Sequence, residues 1–188
     1  SVIATMRSVR TSLVVFDTEV VDQAPAQVER PGATTVSAAL LNDIARKLPE
    51  GRRYGVVAGT GRFLEGLASF RFDEDRLAFL ERTGVVDAAT LEWLADFRFT
   101  GDISGYAEGD LWFPHSPILR VESTFAEACI LETLALSIYN YDCAVAAAAS
   151  RMSIAAHGRP CVDFGARRAH EQAAVAAARA SVIGGLVG

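Results

Sequence analysis

Lysine is almost missing from this 188-residue chain: Lys47 is the single one, so 17 of the 18 cations are arginine. Against 23 Asp and Glu they leave a formal charge of −5, and no basic stripe runs through the sequence. Nucleic-acid binding rests on clustered cations that neutralise phosphates, so it is excluded as the main role. Arginine's fork suits phosphate and carboxylate, although a GC-rich genome is the simpler source of the bias. Cysteine is scarce too. Cys129, Cys143 and Cys161 are odd in number and lack CxxC spacing, so they read as small buried hydrophobes in a reducing compartment. His115, His157 and His170 are scattered and form no i,i+4 pair, so no metal site is expected. Neither a GxSxG elbow nor a Walker A loop is present. No secretory pattern opens the chain, and the apolar stretch 143–149 is too short for a bilayer. The expectation is a soluble, cytoplasmic protein without membrane contact. Length sets a further limit, because a complete (β/α)₈ barrel takes about 250 residues.

What is present is ample apolar material: 51% of residues are hydrophobic and 22% charged, enough for a core and too much for wholesale disorder. Residues 13–16 (LVVF) read as a strand, 25–32 (PAQVERPG) as a loop, and 37–47 (SAALLNDIARK) as a short helix. Residues 53–58 (RYGVVA) read as a buried strand that turns through Gly59-Thr60-Gly61 into a helix from Arg62 to about Phe70. Asp73 and Asp87 are placed to cap two further helices, the first of them closed by Gly84. A strand over 97–106 and short strand pieces follow. Thr124 with Glu127 fits a capping box. The helix it opens carries Ile130, Leu131, Leu134 and Ile138 at helical spacing and runs to about Ala156, before Gly158 and Pro160. Residues 161–165 (CVDFG) read as a short strand, and 171–180 as another helix. Trp93 and Trp112 read as core. The charge-free stretch 182–188 (VIGGLVG) suggests a beginning strand that leaves a sheet edge to be continued.

Gly59-Thr60-Gly61 between a strand and a helix invites a dinucleotide-binding reading. Leu64 stands where the third glycine of GxGxxG belongs, and no acidic residue closes a second strand about 20 residues on. A tight strand-to-helix turn is the favoured reading. Cys143 follows Asp142 in a helical stretch, and nothing marks it as a nucleophile. One cluster is more specific. Residues 163–170 (DFGARRAH) lie between a short strand and a helix. Gly165 permits a sharp turn, the helix start presents free N–H groups, and Arg167, Arg168 and His170 add charge-assisted donors. This suits an anion such as phosphate or carboxylate. The same residues also allow one arginine to pair with Asp163 or Glu171 while the other is solvated.

Residues 158–170 (GRPCVDFGARRAH) closely resemble a segment of bacterial nicotinate phosphoribosyltransferases. So do 48–61 (LPEGRRYGVVAGTG), 70–75 (FRFDED), 97–109 (FRFTGDISGYAEG) with Phe113-Pro114, and Leu131-Glu132-Thr133. The resemblance is collinear from about residue 46 to 188, while 1–45 match poorly. It implies synthesis of nicotinate mononucleotide from nicotinate and phosphoribosyl pyrophosphate, assisted by ATP hydrolysis, on the route to NAD. It further implies no permanently bound cofactor, with phosphoribosyl pyrophosphate, ATP and magnesium as co-substrates. The implied fold is mixed α/β: a diverged segment 1–45, an N-terminal α/β domain at 46–123, and at 124–188 the first elements of an incomplete α/β barrel, with active sites at a dimer interface. Arg167 is then the contact for ligand phosphate and the pyridine carboxylate region, with Gly165, Arg168 and His170 in the same loop. Two family features are missing. The Thr-Asp-x-Tyr-Glu tyrosine that stacks on the pyridine is matched by 16–19 (FDTE), with Glu19 in its place. The Gly-Thr-x-x-His motif bearing the phosphohistidine lies beyond the equivalent of Gly188, so no catalytic residue is assigned.

Three functions agree with these observations. The chain is one subunit of a split phosphoribosyltransferase, a hetero-oligomer whose second polypeptide carries the rest of the barrel and the histidine. Alternatively, it is a truncated homologue without catalysis that acts as a binding or regulatory partner. In the third, it keeps the arginine loop and acts on another pyridine nucleotide in specialised metabolism.

Overall fold

The computed structural model describes residues 10–14 and 53–187. The expected helix at 37–47 and the 16–19 stretch lie outside them. The described elements are mixed helix and strand, in the order β1 (Arg10–Val14), β2 (Gly55–Val56), α1 (Thr60–Ser69), α2 (Glu74–Thr83), α3 (Ala88–Ala95), β3 (Asp102–Gly105), β4 (Leu111–Trp112), β5 (Leu119–Thr124), α4 (Phe125–Ala155) and α5 (Glu171–Ile183). A single 3₁₀ turn, Gly165–Arg168, precedes α5.

Strand β5 is central to an antiparallel sheet of order β1-β5-β3, with Arg10 opposite Thr124 and Asp102 opposite Glu122. Its side chains alternate as a half-buried strand must: Leu119, Val121 and Ser123 are buried, and Arg120 and Glu122 point outward and pair with each other. A second sheet joins β2 to β4 only at Gly55–Trp112 and Val56–Leu111. The strand expected over 53–58 is therefore two residues long. Its pairing is carried on by Val57, whose N–H donates to the Asp110 carbonyl and whose carbonyl accepts from Gly109, both at 2.9 Å.

The helix starts follow local chemistry. Asp73 accepts from the Arg76 N–H at 3.0 Å and Asp87 from the Thr90 N–H at 2.8 Å; Gly84, at φ 64, closes α2. Thr124 caps α4, accepting from the Glu127 N–H at 3.4 Å. The Glu127 side chain turns away from the reciprocal half of the capping box and accepts instead from the hydroxyls of Ser123 and Thr100. A buried carboxylate is thereby satisfied. Helix α4 is 31 residues long and buries Ala128, Leu131, Ala135, Ile138, Asp142, Ala146 and Ala149, a repeat of three and four that makes one continuous stripe.

That stripe carries the core. Val57, Phe63, Trp112, Leu119, Val121, Leu131, Ile138 and Tyr139 form the larger apolar cluster. Val56, Ala58, Ala146 and Ala180 form a smaller one between β2, α4 and α5. A satellite of edge-to-face rings, Phe70, Phe72, Trp93 and Phe97, joins the turn after α1 to α3, with centroids 5.3–5.9 Å apart.

Several expectations are corrected. The strand over 97–106 is confined to Asp102–Gly105, because Phe97 and Phe99 are drawn into apolar packing instead of a ladder. Residues 161–165 make no strand; Val162 forms an isolated parallel bridge with Val187, and Asp163 turns the chain by accepting from the Gly165 N–H at 2.7 Å. The end stretch makes no continuous strand: Val182 and Ile183 finish α5, Gly184 and Gly185 turn, and among the described residues Val187 alone bridges. Among the cysteines only Cys143 is buried; Cys129 is exposed and Cys161 intermediate. Trp112 is core at 4% exposure, whereas Trp93 is half-buried.

Gly55 faces the Trp112 indole so closely that a Cβ would enter the ring's van der Waals envelope. Gly55→Ala is expected to destabilise the fold by about 1–3 kcal/mol through overpacking, measured by urea unfolding. A perturbed Trp112 emission should accompany the loss.

Candidate functional site

The cluster singled out in the sequence is assembled by two chain reversals. Helix α4 ends at Ala155 and is followed by His157 (φ 50) and Gly158 (φ 80), both left-handed. The chain then crosses to Val162, turns at Asp163 and enters the 3₁₀ turn holding Arg167 and Arg168. Ala169 is extended, and His170 is the N-cap of α5 with no side-chain hydrogen bond to the helix. Gly165, Arg167, Arg168 and His170 are all exposed and stand together at the start of a 13-residue helix. Its first N–H groups lack a side-chain cap and lie at the positive end of the dipole.

The pairing alternative left open by the sequence is resolved. Asp163 is engaged with the Gly165 N–H, and Glu171 lies 3.8 Å from His170 Nε2. Among the described residues, neither arginine is in an ion pair. The loop thus carries two exposed guanidinium groups and an imidazole beside helix N–H groups without a side-chain cap, with the Glu171 carboxylate in the same first turn. Among the described residues no group of three or more His, Cys, Asp or Glu could hold a metal ion.

A second polar constellation escaped the sequence reading. The turn at 107–110 is closed by an Ala107 N–H bond to Asp110 Oδ2 at 2.9 Å and by Gly109 at φ 90, and it carries Glu108 toward the Gly59-Thr60-Gly61 turn. Glu108 Oε1 accepts from the N–H of Gly59 at 2.8 Å and of Gly61 at 3.4 Å. Its two oxygens also accept the fork of Arg179, on α5, at 2.7 Å each. Arg179, with the Gly59 and Gly61 amides, holds the Glu108 carboxyl below its ordinary value despite partial burial. The N-terminus of α1 is thus filled by a protein carboxylate, which explains physically why this glycine turn is no phosphate loop. Gly59 has φ 101, and a Cβ there would meet Ile138 Cγ2 at 2.9 Å and Asp142 at 3.1 Å.

Beside it, Asp142 is fully buried and accepts from Arg62 Nη1 at 2.5 Å; its Oδ2 has no hydrogen-bond partner among the described residues. Burial pushes its carboxyl up, against the pull of Arg62. Tyr139 donates to Thr60 Oγ1 at 3.1 Å. Burial also raises the Cys143 thiol to about 11, and its sulfur is engaged by the Ala58 N–H and carbonyl at 3.4 and 3.3 Å, so Cys143 is a structural thiol. One signal for the constellation was available: Arg179 is the single charged residue in 172–188. Its partner, 71 residues away, carried none.

Glu108 and Asp142 have opposite acid responses. A carboxyl lowered in the fold stabilises above its unfolded value, here the ordinary 4.5, and loses that contribution as pH falls through the folded value. Glu108→Gln is expected to lower stability at neutral pH. The gap from the parent should shrink on acidification to about pH 3, compared by denaturant melts at both pH values. A gap that widens in acid would contradict the ion pair.

Comparison with known proteins bears on which site matters. The family model for the nicotinate phosphoribosyltransferase (NAPRTase) N-terminal domain matches residues 35–140, beginning inside the 1–45 stretch. The chain is 60% identical over 141 residues to the Mycobacterium tuberculosis nicotinate phosphoribosyltransferase pncB1, covering 75% of this chain and 31% of that protein. It is 38% identical over 141 residues to the Bacillus subtilis nicotinate phosphoribosyltransferase, covering 74% and 29%. Among solved structures, human nicotinic acid phosphoribosyltransferase superposes with a TM-score of 0.68 at 26% identity, over 74% of this chain and 29% of that one. The chain thus spans less than a third of the length of these relatives. The match of the N-terminal domain, carried through most of the described fold, shows that the chain belongs to the nicotinate phosphoribosyltransferase family.

Proposed function

We propose that this chain supplies the anion-binding part of a nicotinate phosphoribosyltransferase in NAD biosynthesis. The pyridine nitrogen of nicotinate attacks C1 of phosphoribosyl pyrophosphate, the C1–O bond breaks, and pyrophosphate leaves with the bonding electron pair. What carries the proposal is the Gly165–Arg168 turn: two exposed arginines, neither in an ion pair among the described residues, at the uncapped start of α5. Arg167 holds ligand phosphate and the pyridine carboxylate region; Arg168 and His170 add donors, and Gly165 lets the backbone turn toward the ligand. Developing negative charge on the leaving phosphates is stabilised there by fixed N–H dipoles and guanidinium groups. ATP is the co-substrate whose hydrolysis assists. Magnesium accompanies the phosphates as part of the substrate.

The active assembly includes a second polypeptide carrying the rest of an α/β barrel. Val162, Phe164, Val175, Val182 and Val187 are 49–72% exposed, apolar side chains in the loop and along and after α5 that such a partner would cover. A partner closing over the loop would exclude water and strengthen the same electrostatic contacts.

Arg167→Ala should weaken binding of phosphoribosyl pyrophosphate by roughly 1.5–3 kcal/mol, the cost of a charge-assisted contact, read by calorimetry. Unchanged affinity in a folded variant would refute the site. In an assay with nicotinate, phosphoribosyl pyrophosphate and ATP, turnover is expected only with a coexpressed barrel polypeptide. Efficient turnover by the chain alone would overturn the split arrangement.

A further inference from the structure

Helix α5 carries the anion loop at its start, so whatever fixes α5 fixes the loop. Its buried face is made of Ala176, Ala180, Ser181 and then Gly184. These pack on Ala146 and Ala149 of α4 and on Val56 and Ala58. Methyl groups bring the helices close but offer shallow ridges, so such a face resists sliding and rotation about the helix axis weakly. Two neutral hydrogen bonds help: Tyr141 OH donates to the Ala173 carbonyl at 3.3 Å, and Ser153 Oγ to the Gly185 carbonyl at 3.1 Å. Among the described residues, Arg179–Glu108 is the one ion pair from α5 to another part of the chain, and Arg179 also lies in the field of Asp142 and Glu65.

Its geometry suits orientation more than adhesion. Both oxygens of Glu108 meet both terminal nitrogens of Arg179 at 2.7 Å, a planar fork that defines direction as well as distance. Glu108 is itself immobilised by the Gly59 and Gly61 amides, and the turn carrying it is hydrogen-bonded to Val57. The fork is half-exposed on the arginine side and more buried on the glutamate side, so it adds modestly to stability. Arg179 lies eight residues beyond Glu171, about 12 Å along the axis at 1.5 Å per residue. A rotation of α5 about that axis swings Arg167, Arg168 and the first N–H groups together.

We propose that Glu108 and Arg179 are positioning residues for the anion loop: the fork sets the rotation and axial register of α5 and thereby aims the Gly165–His170 donors at one ligand. The inference rests on the anion-binding reading of that loop. Neither residue need touch the ligand, and the pair acts only through the helix between.

The test uses the full chain, inorganic pyrophosphate as the probe, and two readouts: calorimetric affinity and amide hydrogen exchange. Arg179→Met and Glu108→Gln are expected to raise the pyrophosphate Kd roughly tenfold or more, as loss of alignment does. Arg179→Lys, which keeps charge but not the fork, should fall between them and the parent. It also carries the test should Arg179→Met fail to fold. Exchange should quicken at residues 165–176 and stay unchanged over 125–149 of α4. Parent-like affinity in Arg179→Met, or equal quickening along both helices, would overturn the proposal. If Arg167→Ala leaves pyrophosphate binding unchanged, the anion reading fails instead. The exchange pattern then judges the clamp by itself: local quickening supports it, and none overturns it.

Discussion

Helix α4 buries one stripe along most of its 31 residues, and the described elements are arranged by what that stripe can accept. Toward its start, Leu131 and Ala135 share the apolar cluster with Leu119 and Val121 of β5. In its middle, Ile138, Asp142 and Cys143 receive the Gly59 turn and the strand before it. Toward its end the stripe is reduced to alanine, so α5 can approach until Gly184 meets the Ala146 carbonyl and the Ala149 methyl. Leu131, Ile138 and Asp142 are the larger residues of the stripe and lie before its last two positions, Ala146 and Ala149, both alanine. Where the stripe ends in alanine a second helix can come close, because interiors tolerate little empty volume.

Close packing of small residues brings polar groups inside with it, and the molecule treats two helix N-termini in opposite ways. At α1 the free N–H groups are met internally by Glu108, which is neutralised in turn by Arg179. At α5 no side chain caps the helix, and the cations Arg167 and Arg168 stand beside its start together with the Glu171 carboxylate of its first turn. On the proposed reading, an anion meets a satisfied site at the first glycine turn and an open one at the second. Sequence patterns make the two turns look alike, since each places glycine before a helix. Occupancy by a carboxylate distant in sequence distinguishes them.

That contrast also marks how far residues alone could be read. Asp73, Asp87 and Thr124 acted as caps because each partner lies three residues away, and the helical stripe of α4 was legible for the same local reason. The arginine loop was legible as a group of donors beside a helix start. Strands fared worse. Residues 161–165 carry apolar side chains suited to a strand, yet the pairing reaches only Val187 and Asp163 bends the chain. At 97–99 the aromatic rings found a cluster that pays better than a ladder. The Glu108–Arg179 fork joins positions 71 apart through a turn, a strand and a helix, and nothing in either neighbourhood encodes the other. Arg62 and Asp142, 80 residues apart, were hidden in the same way.

Rigid support matters for this loop because its donors differ in what they must give up on binding. An arginine held only by solvent loses up to about 2 kcal/mol of rotamer freedom when it grips a ligand. The N–H groups of the first turn of α5 lose almost none, being held already by the helix. Charge on Arg167 and Arg168 therefore draws an anion in and adds enthalpy, while the backbone supplies donors at little entropic cost. That advantage lasts only while the helix points correctly, since N–H dipoles cannot search for a ligand as long side chains can. A helix seated on alanine has only shallow ridges to hold its rotation, and a planar ion pair in its middle adds direction at little bulk. The chemistry at the loop and the fork that faces away from it are in this sense one structure, with α5 as the lever between them.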